Sequence, residues 1–167
     1  FRVGDEAYGD NLALKGGFAE YAVAPESALA HKPSGLSFEE ASTIPQAGAI
    51  ALQGTRWAKA GDRVLINGAG GGSGSFAIQL AKQLGAHVAT TASTANVDLV
   101  KRLGADVVVD YRKQAFETVL HDYDVVLDSL GGETLVKSLD VLKPGGKVIS
   151  VAGPPDAAFG RELGANP

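Results

Sequence analysis

The sequence predicts an α/β fold built on a doubly wound parallel sheet, preceded by a stretch of different character. Three observations predict it. Five short runs, 63–67, 87–91, 107–110, 124–128 and 147–151, alternate with helical segments. They are dominated by Val, Ile, Leu and Ala without strict alternation, as strands buried on both faces are. Glycine marks the ends: of 22 glycines, most sit between periodic segments, where turns and close backbone approaches need them. Parallel strands joined by right-handed helical crossovers then give the doubly wound arrangement.

Residues 1–37 lack helical periodicity. Gly4-Asp5, Gly9-Asp10 and Gly16-Gly17 punctuate short β-type runs such as Phe18 to Val23. Pro33-Ser34-Gly35 predicts a turn and a domain boundary, dividing the chain into 1–37 and 38–167. Ser37, followed by Glu39 and Glu40, starts a helix: a hydroxyl cap, then acids in the first turn. Pro45 interrupts it, and a second helix runs to about Ala58. After the turn Ala60-Gly61-Asp62 comes the first sheet strand, 63–67, then a glycine loop. A helix from Gly74 to Leu84 carries Phe76, Ala77, Leu80, Ala81 and Leu84 at helical spacing, and Gly85 stops it. Strand 87–91, helix 96–103 stopped by Gly104, strand 107–110, a short helix 114–120, strand 124–128 and helix 133–142 follow. The turn Pro144-Gly145-Gly146 leads to the last strand, 147–151. Gly153 to Pro167 shows no clear element.

Composition removes several function classes. Fifteen basic and 19 acidic residues are scattered along 167 positions, giving a net charge of -4, so a basic nucleic-acid surface is not expected. Cysteine is absent, which excludes a disulfide framework and a thiolate nucleophile or metal ligand from this chain. His31, His87 and His121 are too dispersed to form a metal set by spacing, so no metal residues are expected. No apolar run approaches the roughly 18 residues that span a bilayer, and no signal peptide opens the sequence. A cytoplasmic protein without membrane contact is expected. Methionine is missing even at position 1, and Phe1 reads as the middle of a strand-and-turn region, so the sequence is expected to be a piece of a longer chain.

The chemistry concentrates where the first sheet strand ends. Ala69-x-Gly71-x-x-Gly74 is a variant of the dinucleotide fingerprint, in the required order of strand, glycine turn and helix. Small residues let the backbone pass close to a pyrophosphate. The N–H groups of Gly72, Ser73 and Gly74 then face phosphate oxygens, with the helix dipole adding attraction. A site that grips a free ribose 2′-hydroxyl usually ends the next strand with Asp or Glu. Here that strand runs into Thr90-Thr91-Ala92-Ser93-Thr94, and the next acid is Asp98. Nothing there repels a 2′-phosphate, and Ser93, Thr94 and Asn96 can donate to one, so NADPH is the expected cofactor. No Lys or Arg stands in this loop; Tyr111 or Arg112, ending the adjacent strand, can complete the pocket.

At this point the sequence resembles the medium-chain dehydrogenase/reductase superfamily, and within it the zinc-free quinone oxidoreductase and enone reductase branch. The resemblance is carried by Gly4-Asp-Glu-Ala-Tyr-Gly9, Gly16-Gly-Phe-Ala-Glu-Tyr-Ala22, Lys59-Ala-Gly-Asp-Arg-Val-Leu-Ile66, Gly71 to Lys82, Leu103-Gly-Ala-Asp106, Asp110-Tyr111, Asp128-Ser-Leu-Gly-Gly132 and Leu142-Lys-Pro-Gly-Gly146. It implies a Rossmann domain from residue 38, preceded over 1–37 by the end of a GroES-like β-barrel that forms the substrate side. It implies hydride transfer from the nicotinamide of NADPH to a quinone or an α,β-unsaturated carbonyl, without zinc. Gly71, Gly72, Ser73 and Gly74 would hold the pyrophosphate. Ser93 and Tyr111 match positions contacting the 2′-phosphate. Leu130 and Gly131, and Val151, Ala152 and Gly153, would line the cofactor cleft. The sequence departs from the family at Ile50, where a threonine near the nicotinamide is common, at Ser73, where valine is usual, and around Asn96, where a phosphate-gripping lysine is missing. No catalytic side chain is assigned, since Tyr8 and Tyr21 read as barrel or turn residues. The resemblance also implies a homodimer through the sheet edge at 147–151, and a small-molecule substrate. This segment alone is expected to be inactive, because half of the cleft lies outside it.

Two other readings share the glycine loop. A class I methyltransferase would hold S-adenosylmethionine there, but it too wants an acid at the end of the second strand, and it leaves residues 1–37 unexplained. A nucleotide-binding module without turnover is the other.

Overall fold

A computed structural model describes residues 1–12 and 16–153. Residues 154–167, expected to lack a clear element, lie outside the described residues. The chain divides into two compact units, 1–49 and 50–167.

In the first unit, β1 (Ala7–Gly9) pairs antiparallel with β2 (Leu29–His31) over three residues. This ribbon and the short helix α1 (Phe38–Ser42) are its regular elements among the described residues, together with a single 3-10 turn at Glu26–Ala28 and the start of α2 (Pro45–Thr55). The capping box at α1 is complete: Ser37 Oγ accepts from the Glu40 N–H at 3.1 Å, and the Glu40 carboxylate accepts from the Ser37 N–H at 2.9 Å. Pro45 opens α2, at the helix position where its missing N–H costs nothing. The run Phe18 to Val23, expected to be β-type, is not a strand, and Phe18, Tyr21 and Val23 are exposed. Among the described residues no neighbouring strand supplies it with a ladder. No barrel is present among them either.

The second unit is the expected α/β layer structure. Its strands are β3 (Arg63–Asn67), β4 (His87–Ala92), β5 (Val107–Asp110), β6 (Tyr123–Asp128) and β7 (Leu142–Ser150). They form one parallel sheet in the order β5-β4-β3-β6-β7. Numbered by appearance this is 3-2-1-4-5, five strands of the doubly wound order 3-2-1-4-5-6, with the direction of winding reversing between β3 and β6. Both faces are covered, which is why these strands read as continuous apolar runs. Val64 and Ile66 of β3 pack with Ala77, Ile78 and Ala81 of α3 (Gly72–Gln83) and with Val100 of α4 (Val97–Arg102). Leu65 faces the other way, with Val126, Val141 and Phe116. On that side lies α5 (Gly132–Asp140), with Leu135 and Ser138 buried.

Among the boundaries that differ from the sequence expectation, three have clear local reasons. Helix α3 begins at Gly72 rather than Gly74, because the glycine turn itself supplies the first helical residues. The short helix expected at 114–120 is one 3-10 turn, Phe116–Thr118, which buries Phe116 and Leu120 without the length to propagate. Strand β7 starts at Leu142, because Leu142 pairs with Tyr123 before the Pro144-Gly145-Gly146 excursion, and Lys147 rejoins opposite Val125. β7 stands at the edge of the described sheet.

Candidate functional site

The glycine turn divides its labour residue by residue. β3 ends at buried Asn67, and the chain turns at Gly68 with φ 79°, a conformation side chains resist. Gly71 N–H donates to the Gly68 carbonyl at 3.1 Å, closing the turn. Gly74 is buried, and a Cβ there would lie 2.4 Å from Ala69 Cα and 2.7 Å from the Gly68 oxygen. The third fingerprint position is therefore a packing requirement: α3 rests on the turn with no room for a methyl group. Gly71 is the opposite case. It is extended and exposed, and a Cβ would meet only the Gly68 oxygen at 3.5 Å. No side chain caps α3, so the first-turn N–H groups of Gly72, Ser73 and Gly74 have no partner within the helix. An open, uncapped turn with an unscreened helix dipole is a cradle that fits a pyrophosphate.

A buried polar layer fixes this cradle from below. Thr91 Oγ donates to Asn67 Oδ1 at 3.0 Å, and Asn67 Nδ2 donates to Ser138 Oγ at 2.9 Å. Ser138 Oγ in turn donates to the Thr134 carbonyl, and Ser129 Oγ donates to the Asn67 carbonyl. The ends of β3 and β4 and the helix α5 are thus joined by side chains that are hidden from water, and half-buried Ser129 adds the end of β6. Asp128, also fully buried, accepts from the Gly131 N–H at 2.8 Å through one oxygen, while its Oδ1 has no hydrogen-bond partner. That bond shapes the turn at Gly131 (φ 71°), which leaves Leu130 exposed.

In front of these strand ends lies a cavity of about 730 Å³. Of the predicted site residues, Gly71, Ser93, Asn96, Tyr111 and Leu130 line it. Gly72, Ser73 and Gly74 open α3 behind it. Thr94, Gly131, Val151, Ala152 and Gly153 are not on its walls. Gly131 and Ala152 meet each other instead, a Cβ on Gly131 lying 3.0 Å from Ala152 Cβ, and Val151 N–H donates to the Asp128 carbonyl. Ile50, half-buried on α2, is not in the lining either.

The wall after β4 is built by a 3-10 turn, Thr94–Asn96, entered through Ser93. Asn96 lies so close to the glycine turn that a Cβ on Gly70 would come within 2.3 Å of its Nδ2. Thr94 does not face the cavity: its hydroxyl donates to Asp110 Oδ2 at 2.7 Å. Asp110 also accepts from the Arg112 N–H at 3.0 Å and pairs with the Lys113 ammonium at 3.6 Å. The Thr94 hydrogen bond first, then the Arg112 N–H and the Lys113 charge, outweigh desolvation and hold its carboxyl below the ordinary carboxylate range. The far wall carries Lys137, bonded to Glu133 at 2.7 Å and to Glu117 at 3.1 Å, and these bonds raise the pKa of the lysine. Glu133 is correspondingly lowered by Lys137.

The lining contains no histidine. Among the described residues no three metal-ligating side chains come together, and no helix is long and apolar enough to cross a membrane. Sequence reasoning missed Asn67, Thr91, Ser129 and Ser138. The signal was present: polar residues closing apolar strands, and a serine on the buried face of an amphipathic helix.

Residues 72–163 match the family described as zinc-binding dehydrogenase. A 2-methylene-furan-3-one reductase of Solanum lycopersicum is 43% identical over 95% of this chain and 44% of that protein. An NADPH-dependent alkenal/one oxidoreductase of Arabidopsis thaliana, described as chloroplastic, is 39% identical over the same shares. Among solved structures, the quinone oxidoreductase from Coxiella burnetii superposes with a TM-score of 0.75 at 40% identity, covering 84% of this chain and 44% of that one. The chain spans less than half the length of these relatives.

Proposed function

The chain belongs to the zinc-binding dehydrogenase family of the medium-chain dehydrogenase/reductase superfamily, on its quinone oxidoreductase and enone reductase branch, and from that premise we propose that it works as an NADPH-dependent, zinc-independent oxidoreductase acting on a quinone or an α,β-unsaturated carbonyl. The observation that carries the reading is an uncapped glycine cradle opening onto a cavity in which no carboxylate ends β4. When bound, the reduced nicotinamide supplies a hydride to the electron-poor carbon or quinone.

The chain's own residues bind and orient. Gly71 leaves the cradle open, and the N–H groups of Gly72, Ser73 and Gly74 take the pyrophosphate. Ser93, Asn96 and Tyr111, all on the cavity wall, face the 2′-phosphate end. Leu130 covers the cavity with apolar surface. Thr94 contributes indirectly, since its proton is committed to Asp110. Zinc independence rests on the absence of cysteine from the chain; stoichiometric zinc in protein purified without added metal would overturn it. Assigning 1–37 to the end of a GroES-like domain and 38–167 to the nucleotide domain, pairing of two copies through β7, and a cytoplasmic location complete the reading.

Cofactor titration followed by fluorescence tests it. NADPH is expected to bind more tightly than NADH by more than about tenfold, or 1.4 kcal/mol, and Ser93→Asp to weaken NADPH far more than NADH. Equal affinities, or tighter NADH, defeat the NADPH assignment. Activity is then read as NADPH oxidation by the full-length protein against a panel of quinones and enones.

A further inference from the structure

The proposed 2′-phosphate end has an electrostatic gap. The loop after β4 holds no Lys or Arg, and one of its three neutral donors, Thr94, has spent its proton on Asp110. A dianionic phosphate left to Ser93, Asn96 and Tyr111 would lack a countercharge. Three cations line the cavity: Arg112, Lys113 and Lys137. Arg112 is bonded here through its backbone N–H, and among the described residues no bond ties its guanidinium to the Ser93–Asn96 loop. Lys137 is already shared between Glu133 and Glu117 at 2.7 and 3.1 Å. Among the described residues Lys113 is tied only to Asp110, at 3.6 Å, and its side chain is 71% exposed. Strand register explains where that pairing puts it. Asp110 stands opposite Ala92, the last residue of β4, and its carboxylate bonds Thr94, the neighbour of Ser93. Through Asp110, the Lys113 ammonium is drawn to the edge of the Ser93–Asn96 loop.

We propose that Lys113 supplies the positive charge of the 2′-phosphate subsite, resting on Asp110 in the free protein and turning to the phosphate when the nucleotide binds. The proposal builds on the NADPH reading and deepens it. The missing loop lysine is replaced from the next strand over. Asp110 has two tasks here: it holds Thr94 and the Arg112 backbone, which shape the wall, and it competes with the phosphate for Lys113. The contact is long and its lysine end is solvated, and Asp110, itself only 12% exposed, keeps its bonds from Thr94 and the Arg112 N–H when the lysine leaves, so the exchange costs little.

Calorimetric titration of the chain with NADP⁺ and NAD⁺ tests this. Lys113→Ala, at an exposed position, is expected to keep its melting temperature and its NAD⁺ affinity and to bind NADP⁺ about fivefold more weakly. Asp110→Asn removes the competing charge but keeps one acceptor, for Thr94 or for the Arg112 N–H and not for both; with a melting temperature and NAD⁺ affinity like wild type, it should bind NADP⁺ more tightly. If the wild-type chain prefers NADP⁺ and Lys113→Ala leaves that preference intact, this proposal fails and the NADPH reading stands. If the wild-type chain shows no preference, both fail. NADP⁺ binding that weakens selectively in Asp110→Asn also overturns the role of Asp110 as a competitor.

Discussion

Two glycines three residues apart should separate stability from binding. At Gly74 an added methyl would sit 2.4 Å from Ala69 Cα, 2.7 Å from the Gly68 oxygen and 3.0 Å from the Ala69 carbonyl carbon. All three atoms are backbone, so no flexible tip can move aside. To restore an ordinary contact of about 3.5 Å, α3 must rise off the turn by roughly 1 Å. That would loosen the packing of Ala77 and Ile78 against β3, and overpacking of this kind costs about 1–3 kcal/mol. At Gly71 the same methyl meets one atom at 3.5 Å, and the backbone is extended, so Gly71→Ala should change stability by no more than about 0.5 kcal/mol. It would, however, stand where the cradle opens. Urea denaturation with nucleotide titration reads both effects. Gly74→Ala is expected to lose stability and, with it, apparent affinity. Gly71→Ala is expected to unfold like wild type and bind nucleotide at least about tenfold more weakly, a change of 1.4 kcal/mol. A folded Gly71→Ala with unchanged affinity would show that the phosphate groups do not lie on this turn. A Gly74→Ala as stable as wild type would show that the tight seat of α3 is not real.

The electrostatics give a pH dependence with a defined sign. Burial opposes ionisation of Asp106, but hydrogen bonds from Lys82 and the Val88 N–H, with the nearby charges of Lys82 and His87, outweigh it and lower its pKa. A depressed carboxyl stabilises the fold above the unfolded-state value of about 4 and loses that contribution as pH falls through the folded value. Asp106→Asn should therefore be less stable than wild type at pH 7, with the difference shrinking below about pH 4; a constant difference down to pH 2 refutes the linkage. Asp124, opposed by burial but held low by Lys143 and the Arg63 N–H, should behave alike. Asp128→Asn keeps an acceptor for the Gly131 N–H and removes a buried charge whose second oxygen has no partner, so it is expected to match or exceed wild-type stability in thermal melts. Asp128→Ala is expected to lose about 1–3 kcal/mol with the turn it holds. Equal stability of Ala and wild type would remove Asp128 from any positioning role.

The sheet was legible because each of its strands carries its own local evidence. Arg63–Asn67 and Val107–Asp110 have the boundaries their apolar runs predict, and His87–Ala92 and Tyr123–Asp128 differ by one residue. A strand buried on both faces advertises itself through composition alone, and Gly85 and Gly104 mark where the chain turns after α3 and α4. Phe18 to Val23 failed for the converse reason. Its residues suit a strand, but strand formation needs a partner, and pairing is a long-range fact that composition does not encode. β7 shows the same limit in reverse: Leu142 joins the sheet only because Tyr123 lies opposite, which no window around Leu142 reveals.

The site divides along the same line. Glycines were legible because their function is to lack a side chain, and the fingerprint spacing expresses that directly. What joins them to the rest of the molecule was not. Asn67, Thr91 and Ser138 stand 24 to 71 residues apart, and only the sheet order brings them into one hydrogen-bonded layer beneath the turn. Thr94 makes the point most sharply. In the sequence it is equivalent to Ser93 as a donor beside a strand end without a carboxylate. In the fold, parallel pairing of β4 with β5 sets Asp110 beside it, and the hydroxyl turns away from the cavity. The carboxylate absent from β4 has thus not vanished from this corner of the molecule. It stands one strand over, occupied by Thr94, the Arg112 backbone and Lys113, and under the proposed assignment of the 2′-phosphate subsite it would compete with that phosphate for the lysine.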